Sequence, residues 1–130
     1  MKDTSVSFDH IHIISSDARS TAVWYVEKLD GKIIKDLEVQ GAPQVFVRLG
    51  GIFLIIRGQR TGESAEDKNT LQWGMDHFGF SVDGDFDGYC TQLKERGVKF
   101  TLNPMNFSPT SRIAYIEDPD GIKIELLQRS

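Results

Sequence analysis

The sequence has one cysteine, no excess of positive charge and no long hydrophobic run. With only Cys90, an intrachain disulfide is excluded, and we predict that this thiol fills core space in a reducing cytoplasm. The 15 lysines and arginines against 19 acidic residues give a net charge of −4, so we expect neither nucleic acid nor an anionic membrane as a partner. The opening segment "MKDTSVSFDH" lacks an apolar signal region, and no apolar stretch approaches membrane-spanning length.

The composition that is present is typical of one globular domain. The 130 residues are 39% hydrophobic and 26% charged, which is enough apolar material for a core of ordinary size. We therefore predict a single domain over residues 1–130.

The order of the predicted elements occurs twice along the chain. A strand, a helix and three strands over residues 6–58 are followed by a polar, aperiodic linker, 59–75, and by the same order over 76–128. The helices are indicated by apolar residues at i, i+3, i+4 and i+7: Ala22, Tyr25, Val26 and Leu29 in the first unit, and Phe86, Tyr89, Cys90 and Leu93 in the second. In the second unit, "NPMNFSPTS" at 103–111 is predicted as a loop. The pattern therefore predicts an α+β fold built from two βαβββ units.

The repeat places His10 and His77 at equivalent positions, each directly after an aspartate. His12 shares the strand face of His10, because strand residues two apart point the same way. Glu125 lies in the apolar strand "GIKIELLQ", where a carboxylate is costly to bury unless something positive meets it. Two imidazoles and a carboxylate suit zinc, iron, nickel, cobalt or manganese, and three protein ligands leave open positions, as catalytic sites do. Each residue alone is more often structural; the symmetric placement favours a metal site.

Three segments resemble the vicinal oxygen chelate superfamily, which includes glyoxalase I, methylmalonyl-CoA epimerase, fosfomycin-resistance proteins, extradiol dioxygenases and bleomycin-binding proteins. The segments are "DHIHIISSDARSTAVWYVEKLDG", "DHFGFSVDG" and "EDPDGIKIELLQ", and the resemblance covers 8–128. It implies that the two units pair, within a chain or between two chains of a homodimer, into a cup-shaped mixed sheet with helices on the outer face. It also implies a divalent metal held by His10, His77 and Glu125.

The sequence departs from parts of this family. Glyoxalase I and the epimerase have a fourth ligand where this chain has Ile55, so three ligands better resemble the fosfomycin transferases and extradiol dioxygenases. The fosfomycin transferases hold a phosphonate with basic and hydroxyl residues in the loop matching 103–111, and here that loop has no lysine or arginine before Arg112. Tyr115 does match a phosphonate-contacting tyrosine.

The resemblance also assigns roles near the metal. His12 and Glu125 are the predicted catalytic residues, with His12 moving a proton, or else hydrogen-bonding a neighbour or orienting His10. Tyr115, Arg57 and Phe53 are predicted to contact the substrate.

Three functions are compatible with these residues. The first is a divalent-metal-dependent lyase or isomerase that acts on a small oxygenated metabolite through a metal-stabilised enolate or oxyanion. The second is an iron(II) extradiol-type dioxygenase, and the third is a non-enzymatic antibiotic-binding protein. Retention of all three ligand residues argues against the third.

Overall fold

The structure, a computed structural model, describes residues 4, 7–64 and 73–130. The chain forms two compact units that divide between residues 65 and 66. Each unit contains one helix and one four-stranded sheet.

Unit one begins with a strand, continues with a helix and ends with three strands. These are β1 (His10–Ile14), α1 (Ala18–Leu29), β2 (Lys32–Val39), β3 (Ala42–Leu49) and β4 (Ile52–Arg57). The sheet order is β1-β4-β3-β2, in which β1 and β4 are parallel and the other pairs are antiparallel.

Local sequence explains where α1 starts and stops. The Asp17 side chain accepts a hydrogen bond from the Ser20 backbone N–H, which is the usual N-cap interaction. The helix ends where Asp30 adopts a left-handed backbone conformation. Between these residues the predicted apolar positions Ala22, Tyr25 and Leu29 are buried, and the helix packs on β3 and β4.

Unit two repeats the same order of elements. These are β5 (Phe78–Ser81), α2 (Phe86–Glu95), β6 (Lys99–Ser108), β7 (Ser111–Glu117) and β8 (Lys123–Arg129). The sheet order is β5-β8-β7-β6, with β5 and β8 parallel. The prediction of an α+β fold with two βαβββ units is confirmed.

The two faces of β8 differ as the sequence pattern predicted. Ile124 and Leu126 are buried, while Glu125 and Leu127, on the opposite face, are only partly buried. This alternation leaves the Glu125 carboxylate on the open face of the sheet. Among the helices of the described residues, none is long and apolar enough to cross a membrane.

The predicted loop at 103–111 is wrong. Strand β6 continues to Ser108, and only Pro109 and Thr110 form the turn to β7. Pairing with β7 is interrupted by shifts of register between Phe100 and Ser108. These irregularities, together with a proline that lacks an N–H, break the alternation by which a strand is recognised in sequence.

The first residues of the predicted linker are attached to unit one. Thr61 donates its backbone N–H to the Gln40 carbonyl at 3.1 Å, and the Arg60 guanidinium donates to Gln44 Oε1 at 2.8 Å. Residues 65–72 of the predicted linker lie outside the described residues.

Candidate metal centre

His77 and Glu125 are brought together by the parallel pair β5 and β8. Gly79 is the direct partner of Glu125 in the register, and His77 lies two residues before Gly79 on the same face. A Cβ atom on Gly79 would lie 3.2 Å from the Glu125 Cβ, so the glycine leaves room for the carboxylate. His77 Nε2 lies 3.0 Å from Glu125 Oε1.

A second carboxylate occupies the other side of the same imidazole. His77 Nδ1 lies 2.7 Å from Asp76 Oδ2, and this hydrogen bond is the largest cause that raises the pKa of His77, with Glu125 adding to it. The raised pKa favours the imidazolium, which donates one N–H to each of the two carboxylates. Nε2 and Oε1 would hold a divalent cation in place of the proton between them, while Nδ1–H would still donate to Asp76. The donor set therefore fits a metal.

Tyr115 completes the immediate surroundings of this pair. It lies directly opposite Glu125 in the β7–β8 register, and its ring meets the His77 ring edge to face with 5.1 Å between centroids. Burial, followed by the charges of Glu125 and Asp76, raises the pKa of the Tyr115 hydroxyl. The hydroxyl therefore keeps its proton and can donate a hydrogen bond.

A cleft of about 450 Å³ opens on this face of unit two. Tyr115 and Glu125 form part of its wall. Its other lining residues are Phe107, Ser108, Thr110, Ser111, Ile113, Leu127 and Arg129.

Unit one repeats the aspartate–histidine pair. His10 Nδ1 lies 2.7 Å from Asp9 Oδ2, the same distance as in the His77 pair. The His12 ring lies 6.3 Å from the His10 ring, measured between centroids. Burial, then the positive charges of Arg57 and Arg60, lowers the pKa of His12, which favours the neutral imidazole.

The strand registers show how the two units differ at equivalent positions. His12 is paired with Ile55 in unit one, where unit two pairs Gly79 with Glu125. The prediction that Ile55 is the counterpart of Glu125 is thus confirmed. At this level of its sheet, unit one has the His12 imidazole and, among its described residues, no carboxylate.

Two predicted substrate contacts have partners of their own in unit one. The Arg57 guanidinium contacts Glu63 through both carboxylate oxygens, at 2.5 and 3.2 Å, and lines a smaller cleft of about 270 Å³. The Phe53 ring is covered by the Arg48 guanidinium at 5.3 Å from the ring centroid. Their roles toward a substrate stay predictions.

The structure thus joins His77, Glu125 and Tyr115 in one unit and places His10 and His12 in the other. Taken separately, neither unit contains, within its described residues, three or more His, Cys, Asp or Glu side chains that could hold a metal ion. The role of His10 as a ligand stays a prediction. Sequence reasoning missed Asp9 and Asp76 as partners of the histidines, although the repeated "DH" dipeptide was a visible signal.

Comparisons with known proteins agree with this architecture. The family model of the Glyoxalase/Bleomycin resistance protein/Dioxygenase superfamily matches residues 7–126. The chain is 38% identical over 65 residues to a probable lactoylglutathione lyase of Synechocystis sp., covering 49% of each chain. It is 28% identical over 127 residues to the metallothiol transferase FosB of Staphylococcus epidermidis, covering 97% of this chain and 82% of that one.

A solved structure shares the fold. The glyoxylase/bleomycin resistance protein/dioxygenase domain from Frankia sp. EAN1pec superposes with a TM-score of 0.82 at 24% identity, over 98% of this chain and 94% of that chain.

Proposed function

The chain belongs to the Glyoxalase/Bleomycin resistance protein/Dioxygenase superfamily, and we propose that it is a divalent-metal-dependent enzyme with lyase or isomerase chemistry on a small oxygenated metabolite. The observation that carries the proposal is the 3.0 Å contact between His77 Nε2 and Glu125 Oε1, with Asp76 on the other ring nitrogen. Metal-binding histidines characteristically donate their second N–H to a carboxylate in this way. The likeness to a probable lactoylglutathione lyase supports the lyase assignment.

The proposed ligands are His77 and Glu125 of unit two and His10 of unit one. Two ligands are too few for a stable catalytic site, which usually has three from the protein. His10 is proposed as the third because it has the same aspartate partner at the same distance as His77. The donors suit zinc, nickel, manganese, cobalt or iron. Pairing of the units within a chain or across a homodimer, and a cytoplasmic location, stay predictions from the sequence.

The bound metal, His12 and Tyr115 have different roles in the proposed reaction. A bound divalent cation supplies positive charge that stabilises negative charge developing on a substrate oxygen. His12, held neutral by burial and by Arg57, is the proposed group that takes or returns the substrate proton. The protonated Tyr115 hydroxyl orients a substrate oxygen by donating a hydrogen bond.

A second candidate is an iron(II) ring-cleaving dioxygenase. It is favoured by Ile55, which provides no fourth ligand and leaves two histidines and one glutamate as the proposed set. That combination is the ligand set of many non-haem iron oxygenases.

Elemental analysis of the full chain, purified without chelators, tests the proposal. We expect close to one divalent metal per chain in the wild type, strong loss in Glu125→Ala, and wild-type content in Glu95→Ala, which removes an exposed carboxylate from α2. Equal metal content in wild type and Glu125→Ala would refute the site. Bound iron with oxygen consumption in the presence of a catechol would select the second candidate; turnover with a redox-silent metal would select the first.

A further inference from the structure

The cleft of unit two has three successive cross-strand pairs along one face of β7 and β8. Tyr115 is opposite Glu125, Ile113 is opposite Leu127, and Ser111 is opposite Arg129. All six residues line the cleft. One end of the wall therefore has the proposed metal ligand Glu125, and the middle is apolar. The other end has a hydroxyl group, that of Ser111, beside the guanidinium of Arg129.

We propose that this cleft binds an elongated substrate whose far end is a carboxylate or phosphate held by Arg129 and the neighbouring hydroxyl groups. The inference rests on the proposed function for the reacting end of that substrate. It adds the chemical class of the remainder: an apolar stem of several carbons that ends in an anion.

Arg129 provides the charge that such an anion requires. Among the described residues, no aspartate or glutamate lies within ion-pair distance of its guanidinium. By contrast, Arg57 and Arg112 each pair with a carboxylate. An arginine that lines a cleft without an acidic partner can make paired, charge-assisted hydrogen bonds to a carboxylate or phosphate.

A cluster of three hydroxyl groups lies beside this arginine. Ser108 Oγ is 2.8 Å from Ser111 Oγ and 3.4 Å from Thr110 Oγ1. Three hydroxyls have three protons, and these two contacts use two of them, so at least one O–H is available to a ligand. Since Ser111 is the direct register partner of Arg129, the donors and the cation lie on adjacent strands.

The middle of the cleft sets the length and polarity of the ligand. Glu125 and Arg129 are four residues apart on one strand face, which is about 13 Å of strand. Between them lie Leu127 and Ile113, and the Phe107 side chain, 73% exposed, forms an apolar part of the rim. Apolar contact with a stem of several methylenes would cover this surface.

Titration calorimetry on the full chain tests the anion end with octanoate, octyl phosphate and 1-octanol as probes. We expect the octanoate Kd to rise about tenfold in Arg129→Gln, which is about 1.4 kcal/mol, and about threefold in Ser111→Ala. The matched control Arg96→Gln removes an exposed arginine outside the cleft and should change the Kd less than twofold. Binding of 1-octanol should be weaker than that of octanoate in the wild type and unchanged by Arg129→Gln.

Two results would overturn the inference: an octanoate Kd in Arg129→Gln within twofold of wild type, or 1-octanol binding as tightly as octanoate. Comparison of octanoate with octyl phosphate then identifies the preferred terminal group, which is that of the probe with the lower Kd. Either order of affinity supports an anion site.

A further probe separates this inference from the metal proposal. Octanedioate should bind more tightly than octanoate to the metal-loaded wild type, and this advantage should vanish in Glu125→Ala. If the metal proposal fails, the advantage is absent throughout, while the dependence of octanoate on Arg129 persists.

Discussion

The His77 imidazole and the Glu125 carboxylate are 48 residues apart in the chain, yet Nε2 lies 3.0 Å from Oε1. Their proximity follows from the parallel register of β5 and β8, in which Gly79 faces Glu125. The position of the pair depends on this backbone register and on contacts with neighbouring residues. Substitutions of those neighbours should therefore change the metal affinity.

Replacement of Asp76 by asparagine should weaken metal binding by about ten- to a hundredfold, the usual effect of removing a carboxylate behind a metal-binding histidine. The amide can still accept a hydrogen bond from Nδ1–H, so the loss would come from charge. Competition with a chromophoric zinc chelator measures the affinity. Asp83→Asn, in an exposed loop of the same unit, is the control, and an unchanged affinity in Asp76→Asn would contradict the orienting role.

The Gly79→Ala variant should be less stable and should bind metal less tightly. The new Cβ would lie 3.2 Å from both the Cβ and the backbone oxygen of Glu125, so the two strands must separate slightly. Such overpacking costs about 1–3 kcal/mol. Urea denaturation gives the free energy of unfolding, with Ser81→Ala on the same strand face for comparison. If both stability and affinity match the wild type, Gly79 is not required for the position of Glu125.

A glutamate at position 55 should make stability depend on metal. Ile55 is 7% exposed, so an unpaired carboxylate there should lower the free energy of unfolding by about 2 kcal/mol. If the proposed site forms beside it, added zinc would restore stability, because a ligand that binds only the folded state stabilises it. Ile55→Met controls for the change of shape. Zinc that stabilises Ile55→Glu no more than wild type would place position 55 away from the metal.

Above pH 9 the free energy of unfolding should fall because the Cys90 thiol has a higher pKa in the folded chain than in the unfolded chain. Burial, followed by the charge of Asp87, raises the pKa of its thiol from 9.0 to about 11. Between these values the unfolded chain loses the thiol proton while the folded chain keeps it, so folding stability declines as pH rises, by about 2–3 kcal/mol in all.

Comparison of urea unfolding at pH 8 and pH 10.5 in wild type and Cys90→Ala isolates this contribution from other titrating groups. The wild type should lose more stability than the variant. Equal losses would show that Cys90 keeps its ordinary pKa.

Much of the fold could be predicted because it depends on local periodicity. The i, i+3, i+4, i+7 spacing located both helices, and alternation assigned Ile124 and Glu125 to opposite faces of their strand. The second half of β6, residues 103–108, was missed because register shifts and Pro104 interrupt that alternation, and only its pairing with β7 shows that it is part of the strand.

The sequence by itself determined which residues are chemically able to act and, through the repeat, that His10 and His77 are equivalent. Only the tertiary structure decided which partner each has. Arg57 contacts Glu63, whereas Arg129, beyond the predicted end of its strand, lines the same cleft as Glu125. The reason is physical: alternation along a strand fixes the face of a side chain, but contacts across a sheet depend on which strands pair and in what register, and residues distant in sequence settle both.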